Sequence, residues 1–450
     1  MSSDLSARIR SGNVTALQVV VIAACVVMNA IDGIDVQAIA YTAPVISNAW
    51  HISNAALGIV FSAGLVGMAV GALVLGPTGD YIGRRPALLL NLVVMTIGMV
   101  GTAYTDTVTS LLILRVVTGL GIGGILATTN AMVAEYSPEK YKNFSLSFMH
   151  MGYPIGGVIS SPIAAWLIEQ YGWQSVFLAG SALSGLMIFV VLFWVPESID
   201  YYLLKQGTGA LDKVNAILKK MGRDLLNELP AAPAPHAEGV KKTAVLATLH
   251  KPYTAQTFIL WAAFFFYFMT LYFVLNWGPD IITNYYHFTR AQGIYGNFWI
   301  NLFGVAGGLT VGYVSTMHGV RKMTRGFLFV GVAGMVAFGL AGANLTGMYV
   351  ADCIIGFGFL GVVTGLYTSS ARMYPAEIRN SGVALAIGFG RIGAIIGPSL
   401  AGYMLTFGLT VTTIYYLFAI PLLLSALAFF VIKYDDPITV GSKAAKQAAE

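Results

Sequence analysis

The sequence has little charge and almost no cysteine. Of its 450 residues, 57% are hydrophobic and 10% are charged, and only two are cysteines. This fraction of charged residues is far below that of an ordinary soluble domain. Cys25 and Cys353 both fall in apolar segments, which argues against a disulfide framework, a metal site or a redox role. The mean hydropathy of +0.74 therefore indicates a membrane protein.

Long apolar runs recur from one end of the chain to the other. A helix needs about 20 apolar residues to cross ~30 Å of hydrocarbon. Runs of this length predict an all-α integral membrane protein with six transmembrane helices in each half. The predicted spans are 17–40, 54–76, 87–104, 108–133, 144–169, 174–195, 254–279, 291–316, 326–343, 346–371, 380–405 and 410–432. Because many spans follow the first, we expect that span to remain in the mature protein rather than to be cleaved as a signal peptide.

The basic residues fall on one side of this topology. All but three of the 25 basic residues lie in the termini, in the middle segment or in loops on the side of the N-terminus. The exceptions are Arg115, Arg290 and Arg391. The positive-inside rule then predicts that both termini and the middle segment are cytoplasmic. The net charge of +5 thus reflects topology, and we expect no nucleic-acid partner.

A polar interval divides the chain into two halves. Within it, LDKVNAILKKMGR predicts a short amphipathic helix, and AAPAPHAEG predicts an extended tether. The predicted domains are an N-terminal six-helix bundle over 1–195, a cytoplasmic linker over 196–253, a C-terminal six-helix bundle over 254–433 and a cytoplasmic tail over 434–450.

The two halves carry related motifs. GPTGDYIGRR, which begins at Gly76, has a counterpart in GYVSTMHGVRK from Gly312, and AEYSPEKYKN has one in RMYPAEIRN. The same spacing pairs Arg115 with Asp352. Duplicated six-helix halves are typical of transporters, with the binding site at the repeat interface near the bilayer midplane.

Five charged residues lie well inside the predicted spans, and a sixth, Glu135, lies at the inner end of the fourth span. Each costs about 2.5–3.5 kcal/mol at a helix centre, so such residues normally face a cavity or a partner. The six are Asp32, Asp35, Arg115, Glu135, Asp352 and Arg391.

Asp32 and Asp35 share one face of the first helix because they are three residues apart. One interpretation is a proton-titrating pair, because burial favours the neutral acid and a nearby arginine favours the carboxylate. The other is a static ion pair with Arg115 that only holds helices together. We predict proton-coupling roles for Asp32, Asp35, Arg115 and Glu135, and leave the roles of Asp352 and His150 open.

Arg391 lies ~17 Å along its span, near the midplane, where it can meet an anion. We predict Arg391, Asp35, Asn297 and Tyr367 as substrate-binding residues, with Asn301 as a further polar candidate. The aromatic run WAAFFFYFMTLYFVLNW, residues 261–277, is interpreted as mainly lipid-facing, with one face reaching the cavity.

The loop between the second and third spans predicts a cytoplasmic conformational latch. Its glycines permit a tight turn, and its charged side chains can bind neighbouring helix ends. The predicted latch residues are Gly76, Asp80, Gly83, Arg84 and Arg85. Topological anchoring by positive charge alone is the alternative. In the second repeat Thr316 replaces Asp80, so we expect a weaker latch there.

These motifs resemble those of the major facilitator superfamily and, more narrowly, of its bacterial aromatic acid:proton symporter family. GPTGDYIGRRP resembles the superfamily's loop motif, and DGID at 32–35 resembles the family's DGxD motif. LRVVTGLGIGG with AEYSPE resembles the fourth-helix pattern, which carries Arg115 and Glu135, and GRIGAIIGP resembles the eleventh-helix pattern, which carries Arg391. Val36 and Gln37 stand where small or hydroxyl residues are more usual in this family.

The resemblance implies a bacterial inner-membrane transporter that takes up an aromatic carboxylate, such as a hydroxybenzoate, with protons by alternating access. It implies no cofactor beyond the coupling proton, and we expect a monomer in the lipid bilayer. An enzyme is not expected, because the sequence shows no nucleophile with a base and no metal-ligand cluster. A proton-coupled porter for a non-aromatic organic acid or sugar acid stays an alternative, as does a ligand-binding membrane sensor. VPES at 195–198 also occurs in sugar and organic-ion porters, but the later sugar-porter signatures are missing.

Overall fold

A computed structural model describes residues 14–230, 247–250 and 252–432, and this part of the chain is helical, without strands. The predicted tail 434–450 and much of the second half of the linker lie outside the described residues. Twelve described helices are long and apolar enough to cross a membrane. They are α1 (Ala16–Trp50), α2 (Asn54–Val74), α3 (Arg84–Ala103), α4 (Val108–Tyr136), α5 (Lys142–Tyr171), α6 (Gln174–Trp194), α7 (Thr254–Asp280), α8 (Arg290–His318), α9 (Val320–Ala341), α10 (Leu345–Met373), α11 (Ala376–Thr406) and α12 (Val411–Val431).

Two predicted boundaries differ clearly from the structure. Helix α1 continues past residue 40 to Trp50, with Pro44 inside it, because Tyr41, Thr42 and Ala43 are buried in helix packing. A proline within a membrane helix is tolerated where neighbouring groups satisfy the freed backbone. Helix α9 begins at Val320 rather than near 326, directly after the turn at Gly319.

Polar caps start four of the even-numbered helices. Thr107 accepts a hydrogen bond from the Ser110 N–H at the start of α4, and Thr289 forms a capping box with Gln292 at the start of α8. Asn344 and Thr410 cap α10 and α12 in the same way. Each cap satisfies an N–H that has no partner within the helix.

The repeat predicted from the motifs is visible in the backbone. Gly83 (φ 104°) and Gly319 (φ 84°) occupy corresponding turns in a region that favours glycine. Arg85 then donates to the Leu192 carbonyl at the end of α6, and Arg321 donates to the Ile432 carbonyl after α12 at 2.9 Å. In both halves an arginine therefore satisfies a carbonyl at the end of the sixth helix.

The chain forms two compact units. The first takes in the described residues of Met1–Val36, Ala63–Gly156 and Gln174–His236, and the second those of Gln37–Ser62, Gly157–Trp173 and Ala237–Glu450. The second portions of α1 and α5 and the first portion of α2 thus belong with α7–α12. The domain boundaries given by the sequence stay a prediction.

In the first unit, the start of the linker folds against the membrane helices. The predicted amphipathic helix is present as Ala210–Lys220, after a short helix Ile199–Lys205. Their apolar faces form one buried cluster, against which Leu17 of α1 packs. Its buried members are Ile199, Leu203, Val214, Ile217, Leu218 and Met221.

In the second unit, α7 is interrupted near its end. Pro279 has no N–H, so the carbonyl of Leu275, four residues earlier, loses its helical partner. Asn297 of α8 replaces that partner through its Nδ2, 2.8 Å from the Leu275 oxygen. The chain then continues as a π-helical turn, Ile281–Tyr285.

Candidate substrate and proton sites

Asp35 and Arg115 form a buried ion pair in the first unit. Asp35 is 0% exposed and Arg115 is 2% exposed. Arg115 Nη1 donates to Asp35 Oδ1 at 3.2 Å, and Nη2 donates to Oδ2. The guanidinium also lies over the Phe177 ring, 5.6 Å from its centroid. A two-pronged pair of this kind fixes the orientation of both side chains.

Small residues make room for this pair. Gly64 of α2 faces the guanidinium, where an added Cβ would be 3.8 Å from Arg115 Nε. Asp32, one helical turn before Asp35, is 5% exposed, so both carboxylates of the DGID motif are buried. The structure brings Asp35 and Arg115 together as the sequence suggested, while the proton-coupling roles of all three residues stay predictions.

Arg391 lies beside aromatic rings in the second unit. It is partly exposed, and its Nη1 donates to the Tyr272 hydroxyl at 3.2 Å. Tyr367 is close enough to Arg391 for electrostatic interaction. The Phe264 ring lies 6.0 Å from Tyr367, and the Phe268 ring stacks near Tyr272 with centroids 6.1 Å apart. A cation thus stands beside a row of four rings, which we call the aromatic row: Tyr367, Phe264, Phe268 and Tyr272.

The residue before Arg391 explains how the row can form. A Cβ on Gly390 would come within 2.6 Å of Phe268 Cδ2 and 3.3 Å of Phe264 Cβ. Glycine at this position therefore lets α7 rings approach α11 next to the arginine. The mainly lipid-facing interpretation of residues 261–277 was wrong for much of the run, because Phe264, Phe268 and Tyr272 are buried.

Asn297 and Tyr367 differ in what they can offer a substrate. Tyr367 is partly exposed and adjoins Arg391. Asn297 is fully buried and its Nδ2 is committed to the Leu275 carbonyl, although its Oδ1 has no hydrogen-bond partner. The structure therefore gives Asn297 a supporting contact at the α7 break, and its predicted substrate contact stays a prediction.

The latch residues come together in the first unit. Arg84 Nη1 donates to Asp80 Oδ1 at 2.5 Å, and its Nε and Nη2 donate to Glu135 Oε1 at 3.2 and 3.0 Å. Gly76 lies two residues after the end of α2, and its N–H donates to the Gly71 carbonyl at 3.0 Å.

Glu135 lies at the inner end of its helix, far from Asp35 and Arg115, and its proton-coupling role stays a prediction. Glu135 and Arg115 lie near opposite ends of the same α4, about 30 Å apart along the axis. Glu135 contacts Arg84, which is one of the predicted latch residues.

Glu197, which the sequence did not single out, contacts the predicted latch residues. Its Oε1 accepts hydrogen bonds from the N–H groups of Arg84 and Ser198, each at 2.7 Å, and Oε2 accepts from the Arg85 N–H at 3.2 Å. A Cβ on Gly83 would collide with this carboxylate. Burial raises the pKa of Glu197, and the backbone hydrogen bonds and Arg84 oppose that change. Glu197 belongs to the VPES motif, which was noted in the sequence. The residues around this motif do not show that it contacts a turn more than a hundred residues earlier in the chain.

A buried polar chain in the second unit was also missed. Asn301 Nδ2 donates to Gln37 Oε1 at 2.8 Å, and Gln37 Nε2 donates back to Asn301 Oδ1 at 3.3 Å. Tyr41 donates to Gln37 Oε1 at 2.7 Å and lies 2.9 Å from Ser161 Oγ. Gln37, one of the two residues that are unusual for the family, therefore joins α1 to α8, and the Asn301 side chain is occupied by that contact.

The geometry describes a polytopic helical protein with buried charges and an arginine beside aromatic rings. The sequence matches the model of the Major Facilitator Superfamily over residues 25–368 and 300–449. The chain therefore belongs to the Major Facilitator Superfamily, and it is a multi-pass membrane transporter rather than an enzyme.

Individual proteins of similar sequence or structure are also found. The chain is 29% identical to the 4-hydroxybenzoate transporter PcaK of Acinetobacter baylyi over 434 residues, which is 96% of this chain and 94% of that protein. It is also 29% identical to a gallate transporter of Pseudomonas putida, with 92% of each chain covered. A structure of the xylose transporter XylE from E. coli superposes with a TM-score of 0.72 at 15% identity, covering 94% of this chain and 99% of that one, which supports the fold alone.

Proposed function

We propose that this protein is a proton-coupled symporter that takes up an aromatic carboxylate by alternating access. The observation that carries the proposal is Arg391, a partly exposed cation placed against the aromatic row. Two relatives named for hydroxybenzoate and gallate transport add support at the level of substrate class. The expected location is a bacterial inner membrane with both termini in the cytoplasm.

The chemistry of the substrate fits these groups. A benzoate-type anion has one carboxylate, which a guanidinium binds with two parallel hydrogen bonds. Its ring can pack against tyrosine and phenylalanine faces in offset or edge-to-face arrangements, worth about 0.5–1.5 kcal/mol per pair beyond burial. Tyr272 and Tyr367 also carry hydroxyl groups that can bond a ring substituent. A sugar acid would satisfy the arginine but would leave the rings without a partner.

Proton coupling rests on the buried acids of α1. Asp35 is held by Arg115 in an ion pair, so binding a proton there requires that Arg115 move away or be drawn to another anion. Asp32, one turn away and also buried, supplies a second acid on the same face. In the proposed cycle, protonation of one of these acids accompanies substrate loading, and release of the proton to the alkaline side resets the carrier. The latch around Arg84 would stabilise one of the two conformations.

A binding experiment tests the substrate class. Purified protein is heated with 4-hydroxybenzoate, benzoate or gluconate, and the unfolding temperature is recorded. A ligand at 100 times its Kd stabilises the folded state by about 2.7 kcal/mol. We expect stabilisation by the aromatic acids, its loss in Arg391→Ala, and its retention in the control Arg290→Ala. Stabilisation by gluconate alone would favour the sugar-acid porter.

Binding alone does not separate a carrier from a membrane sensor. Counterflow in reconstituted vesicles does, because only a carrier exchanges internal unlabelled acid for external labelled acid. Stabilisation by aromatic acids without counterflow would favour the sensor.

A further inference from the structure

The C-terminal half contains a buried acid that the proposed mechanism does not use. Asp352 lies in α10 at the position that corresponds to Arg115 in the first repeat, and it is 2% exposed. Its Oδ2 is buried and has no hydrogen-bond partner among the described residues. The ion pairs found among the described residues join Arg84 to Asp80 and Glu135, and Arg115 to Asp35, so none includes Asp352.

The surroundings of Asp352 are apolar or neutral. On the side of α8, an added Cβ on Gly296 would lie 2.9 Å from Asp352 Oδ2 and 2.8 Å from Ile282 Cδ1. The absence of a side chain at Gly296 therefore leaves space for the carboxyl group between α8 and the π-helical turn. The gap holds one carboxyl group against backbone and an aliphatic side chain.

The titratable groups that face Asp352 do not carry positive charge. Tyr349 and Cys353 interact with it electrostatically from its own helix, and Tyr415 does so from α12. The Tyr415 hydroxyl is itself buried without a hydrogen-bond partner, in a ring that stacks on Phe338 at 4.1 Å. Phenols and thiols are neutral near pH 7. An unpaired carboxylate in such a place would be strongly destabilising, and a buried acid in that situation takes a proton instead.

We propose that Asp352 is a second proton-binding site and that its proton is carried in each transport cycle. This inference rests on the proposed function, because it adds a proton to the one assigned to the α1 acids. Each cycle would then move two protons with one monoanion, a net charge of +1. Both protons enter from the side that supplies the substrate, and both leave on the other side with the carboxylate.

The position of Asp352 gives its proton a route to exchange. The carboxyl group abuts the π-helical turn that follows the break at Pro279, where the helical hydrogen bonding of α7 is already interrupted. Movement of this turn would admit water to Asp352, and a hydrated carboxyl group can lose its proton. When the turn closes again, the same apolar walls restore the neutral form.

Electrical measurements test the stoichiometry. The protein is reconstituted in liposomes at equal pH on both sides, a potassium diffusion potential is imposed with valinomycin, and uptake of labelled 4-hydroxybenzoate is measured. One net charge corresponds to about a 50-fold rise in equilibrium accumulation per 100 mV. We expect this response in the wild type. Accumulation that ignores the potential would overturn the proposal.

Asp352→Asn imitates the neutral acid and should separate the two protons. We expect this variant to keep uptake driven by a pH gradient and to lose the response to potential. The matched control is Asp280→Asn, which alters another buried acid of the same unit and should keep that response. An unchanged response in Asp352→Asn, or its loss in both variants, would contradict the assignment.

Infrared spectroscopy gives a readout that does not depend on transport. The purified wild type should show the carbonyl stretch of a protonated carboxylic acid that is missing from Asp352→Asn. Identical spectra of the two proteins in this region would refute a proton on Asp352. If none of the aromatic acids is transported but this band is present, the proposed function fails while the proton site stands.

Discussion

The ion pair between Asp35 and Arg115 makes an asymmetric prediction. Both side chains are almost fully buried, and their geometry is two-pronged. Removing one partner of such a pair strands a buried charge and destabilises by about 3–5 kcal/mol. The two single substitutions differ in effect, because an unpaired arginine cannot lose its proton in a protein, whereas an unpaired aspartate can gain one.

We therefore expect Asp35→Asn to be the more damaging single change, at about 3–5 kcal/mol. Arg115→Met should be less destabilising, at about 1–3 kcal/mol, because Asp35 can become neutral and then lacks only its hydrogen bonds. That loss should shrink further as pH falls. The double variant Asp35→Asn/Arg115→Met should lie within about 1 kcal/mol of the wild type, since replacing a whole buried pair is often nearly neutral.

The assay is thermal unfolding of the purified proteins in one detergent, at a series of pH values, with the exposed Asp106→Asn as control. The wild type, the two single variants and the double variant form a cycle whose interaction free energy should reach at least about 3 kcal/mol. Additive losses in the double variant, or an Arg115→Met variant less stable than Asp35→Asn at every pH, would show that Asp35 and Arg115 do not stabilise each other as a buried ion pair.

Three further predictions concern other parts of the molecule. Arg391→Lys keeps the charge but loses the planar two-pronged donor, so 4-hydroxybenzoate should bind about tenfold more weakly in a titration; unchanged affinity would contradict carboxylate binding there. Burial raises the pKa of Glu197, so the stability that this residue contributes is present at low pH and is lost as pH rises through the raised pKa. The unfolding temperature of the wild type should therefore fall relative to that of Glu197→Gln from about pH 4.3 upward. Parallel curves of unfolding temperature against pH for the two proteins would argue against this. Asn297→Leu leaves the Leu275 carbonyl unsatisfied and should destabilise by about 1–3 kcal/mol, whereas full stability with lost binding would support Asn297 as a substrate contact.

The fold was largely predictable because membrane helices depend on long apolar runs. Hydrocarbon requires every backbone group to be satisfied within the helix, so length and hydropathy identify the spans. The two halves were also recoverable, because the turns at Gly83 and Gly319 need glycine wherever the repeat occurs. The end of α1 was not, since Pro44 is a poor guide to helix ends inside a membrane protein.

The sequence alone identified those candidate site residues whose charge is costly inside an apolar helix. Charges in apolar helices are rare enough that Asp35, Arg115 and Arg391 stood out without any structure. Their contacts could be foreseen only in part, because the sequence places Glu135 at the inner end of α4 but does not show that its partner there is Arg84. The link between Gln37 and Asn301 was not predictable, because an amide pair across two helices leaves no local pattern.

The central claim is that an aromatic carboxylate and protons cross the membrane together. The most direct measurement is uptake of labelled 4-hydroxybenzoate into liposomes that contain the purified protein, with an acidic exterior and a neutral interior. We predict accumulation above the external concentration, which a protonophore abolishes and which Asp32→Asn or Asp35→Asn reduces to equilibration or less. Accumulation that persists with the protonophore, or equal uptake in the wild type and both variants, would contradict the account.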